Sequence, residues 1–167
     1  MSEVKLVFEL DRCWGCRNCE AACAIEKAWG PDRPALHIES VRGKNLPSAP
    51  QGLAFVPVLC QQCTTPACLE ACPVEAIQKS AEGIVAIILD ACTSCGSCES
   101  ACPYGAISIS PESGMPEKCD LCNERLDSGR LPACVQHCPG KVIHVETSAI
   151  SEKASWSTGS VVYKART

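Results

Sequence analysis

The 167-residue chain has little from which to build an ordinary core: aromatics make up 4 % of it. No apolar run is long enough to span a bilayer. The nearest, AIILDAC, is broken by Asp90, so direct membrane insertion is not expected. The opening residues, MSEVKLVFELDRC, contain neither the apolar centre of a signal peptide nor a twin arginine, which points to the cytoplasm unless a partner carries the signal. The formal net charge is −4, and no basic stripe is present to attract nucleic acid. No phosphate-cradling glycine loop or nucleotide fingerprint appears. The three histidines, His37, His137 and His144, are isolated from one another. His137, one residue before a cysteine, reads as a surface or supporting residue rather than a ligand.

What the chain does have is 16 cysteines. They inflate its 46 % hydrophobic content, and a chain this poor in other apolar residues needs a staple to fold. An unstapled form should be poorly folded. The cysteines fall into four runs: Cys13, Cys16, Cys19 and Cys23; Cys60, Cys63, Cys68 and Cys72; Cys92, Cys95, Cys98 and Cys102; Cys119, Cys122, Cys134 and Cys138. Three runs end in Cys-Pro, at Pro73, Pro103 and Pro139, whereas Cys23 is followed by Ala24. Disulfides suit such contiguous runs badly, and no secretory signal accompanies them. Zinc knuckles take cysteines two by two and do not account for the third cysteine or the Cys-Pro ending. The third run, Cys92 to Pro103, has the spacing C-x2-C-x2-C-x3-C-P of bacterial iron–sulfur proteins with two cubes, in which the fourth cysteine leaves its own loop to reach the other cube.

The 16 thiolates suffice for four [4Fe–4S] cubes with none left over. No run lacks its fourth cysteine, so no iron is left open as a Lewis acid. No catalytic residue is assigned. What remains is outer-sphere electron transfer along a chain of cubes. Arg12, Arg17 and Lys118 flank cysteines and would either raise nearby reduction potentials or simply be solvated. Trp14, inside the first loop, reads as packing against cluster sulfur.

The segments between runs read as short strands and turns. Val4 to Leu10 is β-prone, and Glu20 to Lys27 is a short helix stopped before Gly30 and Pro31. Leu36 to Val41 and Val56 to Leu59 read as strands, with a linker or surface loop from Gly43 to Gly52. Glu75 to Gln78 and Ile84 to Leu89 form hairpin arms about the turn SAEG, and PESGMP after Ile109 marks the end of a module. Val142 to Val145 reads as a closing strand. The tail from Thr147 to Thr167 carries no motif and is either disordered or free to dock on a partner.

The motifs CQQCTTPACLEACP, CTSCGSCESACPYGAI and KCDLCNERLDSGRLPACVQHCP, with the non-proline after Cys23, resemble the four-cluster iron–sulfur subunits of molybdenum- and tungsten-pterin oxidoreductases and certain hydrogenases. The polysulfide, dimethyl sulfoxide and formate enzymes have such subunits. The resemblance covers roughly residues 4 to 146. This chain departs from the family in being short, with little between its motifs and no membrane-anchoring tail.

The resemblance implies an α+β fold of two bacterial-ferredoxin-like modules, one inserted in the other, each binding two [4Fe–4S] clusters. The outer module would comprise residues 1–52 and 113–146, the inserted one 53–112, and 147–167 would be a tail. It implies these ligand sets: Cys13, Cys16, Cys19 and Cys138; Cys119, Cys122, Cys134 and Cys23; Cys60, Cys63, Cys68 and Cys102; Cys92, Cys95, Cys98 and Cys72. A contiguous scheme, pairing the first run with the second and the third with the fourth, stays open. The implied partners are a larger catalytic subunit with a tungsten or molybdenum pterin, as in soluble aldehyde oxidoreductases, and a second electron carrier or flavin subunit. Head-to-tail assembly into larger complexes is compatible with this. A free polyferredoxin and a hydrogenase subunit are the alternatives.

Overall fold

The computed structural model describes residues 4–30, 34–43, 52–146, 156–157 and 159–164. Its centre is strand β1 (Lys5–Glu9), in which Lys5 to Phe8 are all buried. A strand buried along its length needs partners on both edges. On one side β8 (Ile143–Glu146) runs antiparallel, with Leu6 opposite Val145, and on the other β10 (Val161–Lys164) runs parallel, with Leu6 opposite Val161. The two-residue β9 (Trp156–Ser157) completes a sheet of order β8-β1-β10-β9.

Part of the expected tail therefore forms an internal strand. Its VVY run supplies Val161 and Val162, both buried, and Tyr163, whose ring stacks on Phe8 with centroids 5.9 Å apart. The Tyr163 hydroxyl donates to the Pro57 carbonyl (3.1 Å) and accepts from Gln61 Nε2 (2.9 Å). Residues 147–155, 158 and 165–167 of the tail lie outside the described residues.

The other strands form three ribbons. β2 (Leu36–Arg42) pairs with β3 (Leu53–Leu59), β4 (Ile77–Lys79) with β5 (Val85–Ile87), and β6 (Ile107–Ile109) with β7 (Pro116–Lys118), all antiparallel. PESGMP, read as a module end, also forms the turn of the β6–β7 hairpin, and β7 leads straight into Cys119. The first ribbon pairs residues on either side of position 52, and Gly43 N–H bonds the Gly52 carbonyl at 3.1 Å. Most of the expected 43–52 loop, residues 44–51, lies outside the described residues.

Helices are short and set by the cysteine runs. α2 (Ala67–Glu70), α3 (Ser97–Ala101) and α5 (Ala133–Gln136) each end one or two residues before Cys72, Cys102 or Cys138. The proline after each of those cysteines cannot continue a helix. α1 (Asn18–Lys27) runs on for ten residues because Ala24, not proline, follows Cys23. α4 (Asn123–Asp127) fills the long gap of the fourth run. α1 packs on α5, and α2 on α3. The result is a small α+β protein whose largest core joins Leu6, Phe8, Leu36, Leu59, Val142 and Val161 to Cys19, Cys23, Cys134 and Cys138. A second core holds Cys68, Ile77, Val85, Cys98 and Ile107. No helix among the described residues is long and apolar enough to cross a membrane.

Gly159 pins the C-terminal segment to the second cysteine loop. A Cβ there would meet the backbone oxygens of Gln61 and Gln62 at 2.4 Å, which only backbone movement could relieve. Gly159→Ala should therefore cost about 2 kcal/mol or more, read as a lowered denaturation midpoint, with β10 and its buried Val161 released from β1.

Candidate metal centres

The first C-x2-C step of each run bends in the same way. The residue before its second cysteine has a left-handed backbone: Gly15 (φ 71°), Gln62 (φ 51°), Ser94 (φ 54°) and Leu121 (φ 58°). Such a bend curls the loop so that sulfurs and amide groups face one concavity. Three of the four residues are not glycine and bear the steric cost of this region. At the first, glycine is needed twice over, because a Cβ on Gly15 would lie 2.4 Å from the Phe55 ring. After each Cys-Pro a second left-handed residue follows, at Glu75, Gly105 and Lys141. The turn aims the next amide back at sulfur: Ala76 N–H donates to Cys72 Sγ (3.3 Å) and Ala106 N–H to Cys102 Sγ (3.4 Å). Ser94 N–H donates to Cys92 Sγ at 3.4 Å. Amide donors of this kind favour the thiolate form and stabilise added negative charge.

The loops enclose three cavities, each lined by four cysteines. One is lined by Cys13, Cys16, Cys19 and Cys138, with Phe8, Leu10 and Trp14 among its walls. A second is lined by Cys60, Cys63, Cys68 and Cys102, and a third by Cys72, Cys92, Cys95 and Cys98. In every case three cysteines come from one run and the fourth from another.

The remaining four are electrostatic neighbours. Burial pushes the Cys134 thiol up, and nearby Cys122, Cys23 and Cys19 push it further. Burial likewise raises Cys119 well above the usual thiol range, reinforced by Cys60, Cys23 and Cys134. Burial raises Cys23, with Cys122 adding to it. Cys23 and Cys134 share a core with Cys19 and Cys138, and Gln62, next to Cys63, donates to the Cys119 carbonyl, so this group adjoins both of the first two cavities. The second and third cavities meet in the core shared by Cys68, Cys72, Cys98 and Cys102. The four groups form a row whose ends are open: Cys16 and Cys95 are exposed.

This donor set fits iron–sulfur cubes better than single ions. Among the described residues, no three His, Cys, Asp or Glu side chains converge on one ion-sized point, as tetrahedral zinc would demand. The cysteines instead ring spaces, and in three of them apolar and backbone groups complete the wall. Of the other residues singled out in the sequence, none of the histidines lines these cavities. His144 pairs with Glu9 at 2.8 Å, His37 lies 3.6 Å from Glu39, and the His137 carbonyl accepts from Asn18. Trp14 does line the first cavity, packed against Gly140, but stays 58 % exposed. Arg12 and Arg17 are exposed and engage Glu9 and Glu20. Lys118 is buried. Sequence reasoning missed Gln62, fully buried, whose Nε2 donates to the Cys119 carbonyl (2.7 Å) and whose Oε1 accepts from Val85 N–H (2.7 Å). No residue pattern marks it.

A family model described as a 4Fe-4S dicluster domain matches residues 51–148. The chain belongs to that family. As a 4Fe-4S dicluster protein with sixteen cysteines it carries four [4Fe–4S] clusters. It is 42 % identical over 129 residues to the B subunit of tetrathionate reductase from Archaeoglobus fulgidus, covering 76 % of this chain and 58 % of that protein. It is 33 % identical to the B chain of anaerobic dimethyl sulfoxide reductase from Haemophilus influenzae, over 83 % of this chain and 71 % of that one. It therefore spans little more than half the length of the tetrathionate reductase relatives that it matches. A chain of the BamBC active-site complex of benzoyl coenzyme A reductase, as isolated, superposes with a TM-score of 0.47 at 23 % identity, covering 93 % of this chain and 83 % of that chain.

Removing or keeping the clusters should reverse the response of this dicluster protein to pH. Burial pushes Cys19 up to about 12 and Cys68 up to about 11, above the ~8.5 of a free thiol. Iron-free folded chain thus keeps protons that unfolded chain releases, so its stability falls as pH rises from about 8.5 toward 11. In the loaded chain protons compete with iron for the same sulfurs, so clusters are lost as pH falls. Circular dichroism of the iron-free form and visible absorbance of the loaded form check the two directions.

Proposed function

We propose that this chain is a non-catalytic electron-transfer subunit. It connects a larger catalytic subunit bearing a tungsten or molybdenum pterin, of the aldehyde oxidoreductase type, to a second electron carrier or flavin subunit. The observation that carries this reading is the row of four cysteine groups with an exposed cysteine, Cys16 or Cys95, only in the group at each end. A [4Fe–4S] cube takes up and releases one electron at a time, so such a row has an entrance and an exit. Relatives named as one lettered component of the tetrathionate and dimethyl sulfoxide reductases support a role as one subunit among several.

The ligand sets belong to the same proposal. Cys13, Cys16, Cys19 and Cys138 hold the first cube, and Cys23, Cys119, Cys122 and Cys134 the next. Cys60, Cys63, Cys68 and Cys102 hold the third, and Cys72, Cys92, Cys95 and Cys98 the last. The cavity linings support the crossed scheme over the contiguous one, because Cys138 lies with the first run and none of Cys60 to Cys72 does. The packing of α1 on α5 and of α2 on α3 supports two nested modules, with residues 53–112 inserted in the outer one. The β2–β3 ribbon ties the two together.

Single cysteine substitutions test the wiring. Cys138→Ser should perturb the same cluster signal as Cys16→Ser, and Cys102→Ser the same signal as Cys63→Ser, in electron paramagnetic resonance of the reduced chain. A signal shared by Cys16→Ser and Cys72→Ser would support contiguous wiring instead. The subunit role is tested by native-mass purification from the source organism with elemental analysis. A co-purifying tungsten or molybdenum protein is expected, and a lone monomer would make the chain a diffusing polyferredoxin.

A further inference from the structure

Three cations stand directly beside a cysteine in sequence, Arg12, Arg17 and Lys118, and of these only Lys118 is withdrawn from water. Lys118, at the end of β7, is 5 % exposed. Its ammonium donates to two backbone carbonyls, those of Val85 and of Cys119, the latter at 2.7 Å. Gln62 joins the same two residues, bonding Val85 N–H and the Cys119 carbonyl. Lys118 and Gln62 thus fasten β5, which walls the cavity of Cys60, Cys63, Cys68 and Cys102, to the first cysteine of the fourth run.

Carbonyl oxygens orient an ammonium but do not neutralise it. A buried charge needs an opposite charge to offset its lost hydration. The anion within reach is the cysteine group itself, because Val85, whose carbonyl accepts from the Lys118 ammonium, lines the cavity of Cys60, Cys63, Cys68 and Cys102. Four thiolates around a cube leave a net negative centre, and a one-electron reduction adds one more negative charge. A cation fixed beside it in a poorly screened interior favours the reduced form. Exposed Arg12 and Arg17, already engaged by carboxylates, are screened by water and salt.

We propose that Lys118 is the buried counter-cation of the cube held by Cys60, Cys63, Cys68 and Cys102, and that it raises the reduction potential of this interior cube above the value its sulfur environment alone would set. It is a positioning residue, acting through charge at a cube it does not ligate. The inference rests on the ligand assignment proposed above.

The test uses the full chain loaded with four clusters, in redox titrations followed by electron paramagnetic resonance, with iron counted per chain. Lys118→Met keeps the apolar stem and removes the charge, Lys118→Gln also keeps a donor, and Lys118→Arg keeps the charge. Both neutral variants should shift one cluster by about tenfold or more in its reduction equilibrium, equivalent to about 59 mV for one electron, toward lower potential. The shifted signal should be the one altered by Cys102→Ser, and Lys118→Arg should stay near the parent value. If the neutral variants lose only that cluster while Lys118→Arg retains it, the counter-cation role also stands. Four clusters with unmoved potentials in either neutral variant would overturn it. So would loss of all four clusters, or the same loss in Lys118→Arg, since Lys118 would then serve as a hydrogen-bonding strut. The ligand assignment fails separately, if Cys102→Ser and Cys60→Ser alter different clusters.

Discussion

Sulfur has to arrive at each cavity from two separated stretches of chain, and the backbone is bent to let it. The first C-x2-C step of every run places a left-handed residue before its second cysteine, whether glycine, glutamine, serine or leucine occupies the position. Every Cys-Pro ending closes a short helix and turns the chain away after its sulfur has been delivered. The strands are correspondingly brief: most run three to five residues, enough to return the chain to the next loop. Regular structure here serves the loops, the reverse of the usual relation between scaffold and site.

The same demand explains the core. Buried cysteines stand in it where larger apolar side chains would otherwise be expected, beside Leu6, Leu36 and Val161 in one cluster and beside Ile77 and Val85 in the other. In the absence of metal, burial favours their neutral form. Iron reverses that preference by binding thiolate. Folding and cluster retention are thus the same problem seen from the protein and from the metal, and the packed interior is sound only when both are satisfied.

The cysteine runs were legible because their spacing is chemistry written along the chain. So was the difference between Cys23 and the other three run ends, since Ala24 in place of proline lets α1 continue. Strands such as Val4 to Leu10 and Val142 to Val145 were visible as β-prone runs, but their partners were not. Nothing local says that Val161 to Lys164 will run parallel to β1, because that pairing depends on tertiary contacts with Gln61, Pro57 and Phe8. PESGMP has the composition of a boundary, and only the pairing of Ile107 with Lys118 reveals that it is also a hairpin turn. The left-handed conformations at Gln62 and Leu121 are imposed by the loops, against residue preference.

The order of the sheet has a consequence for biosynthesis. β1 leaves the ribosome before any of the cysteine runs, yet both its neighbours, β8 and β10, are made after the last of them. Until then a strand buried along its length has nothing to cover it, and the cavity of Cys13, Cys16 and Cys19 lacks the Cys138 that completes its wall. The central segment from Cys60 to Cys102, by contrast, contains both halves of its two cavities. During translation the nascent chain can close its middle before its beginning, and the outermost site, translated first, is finished last.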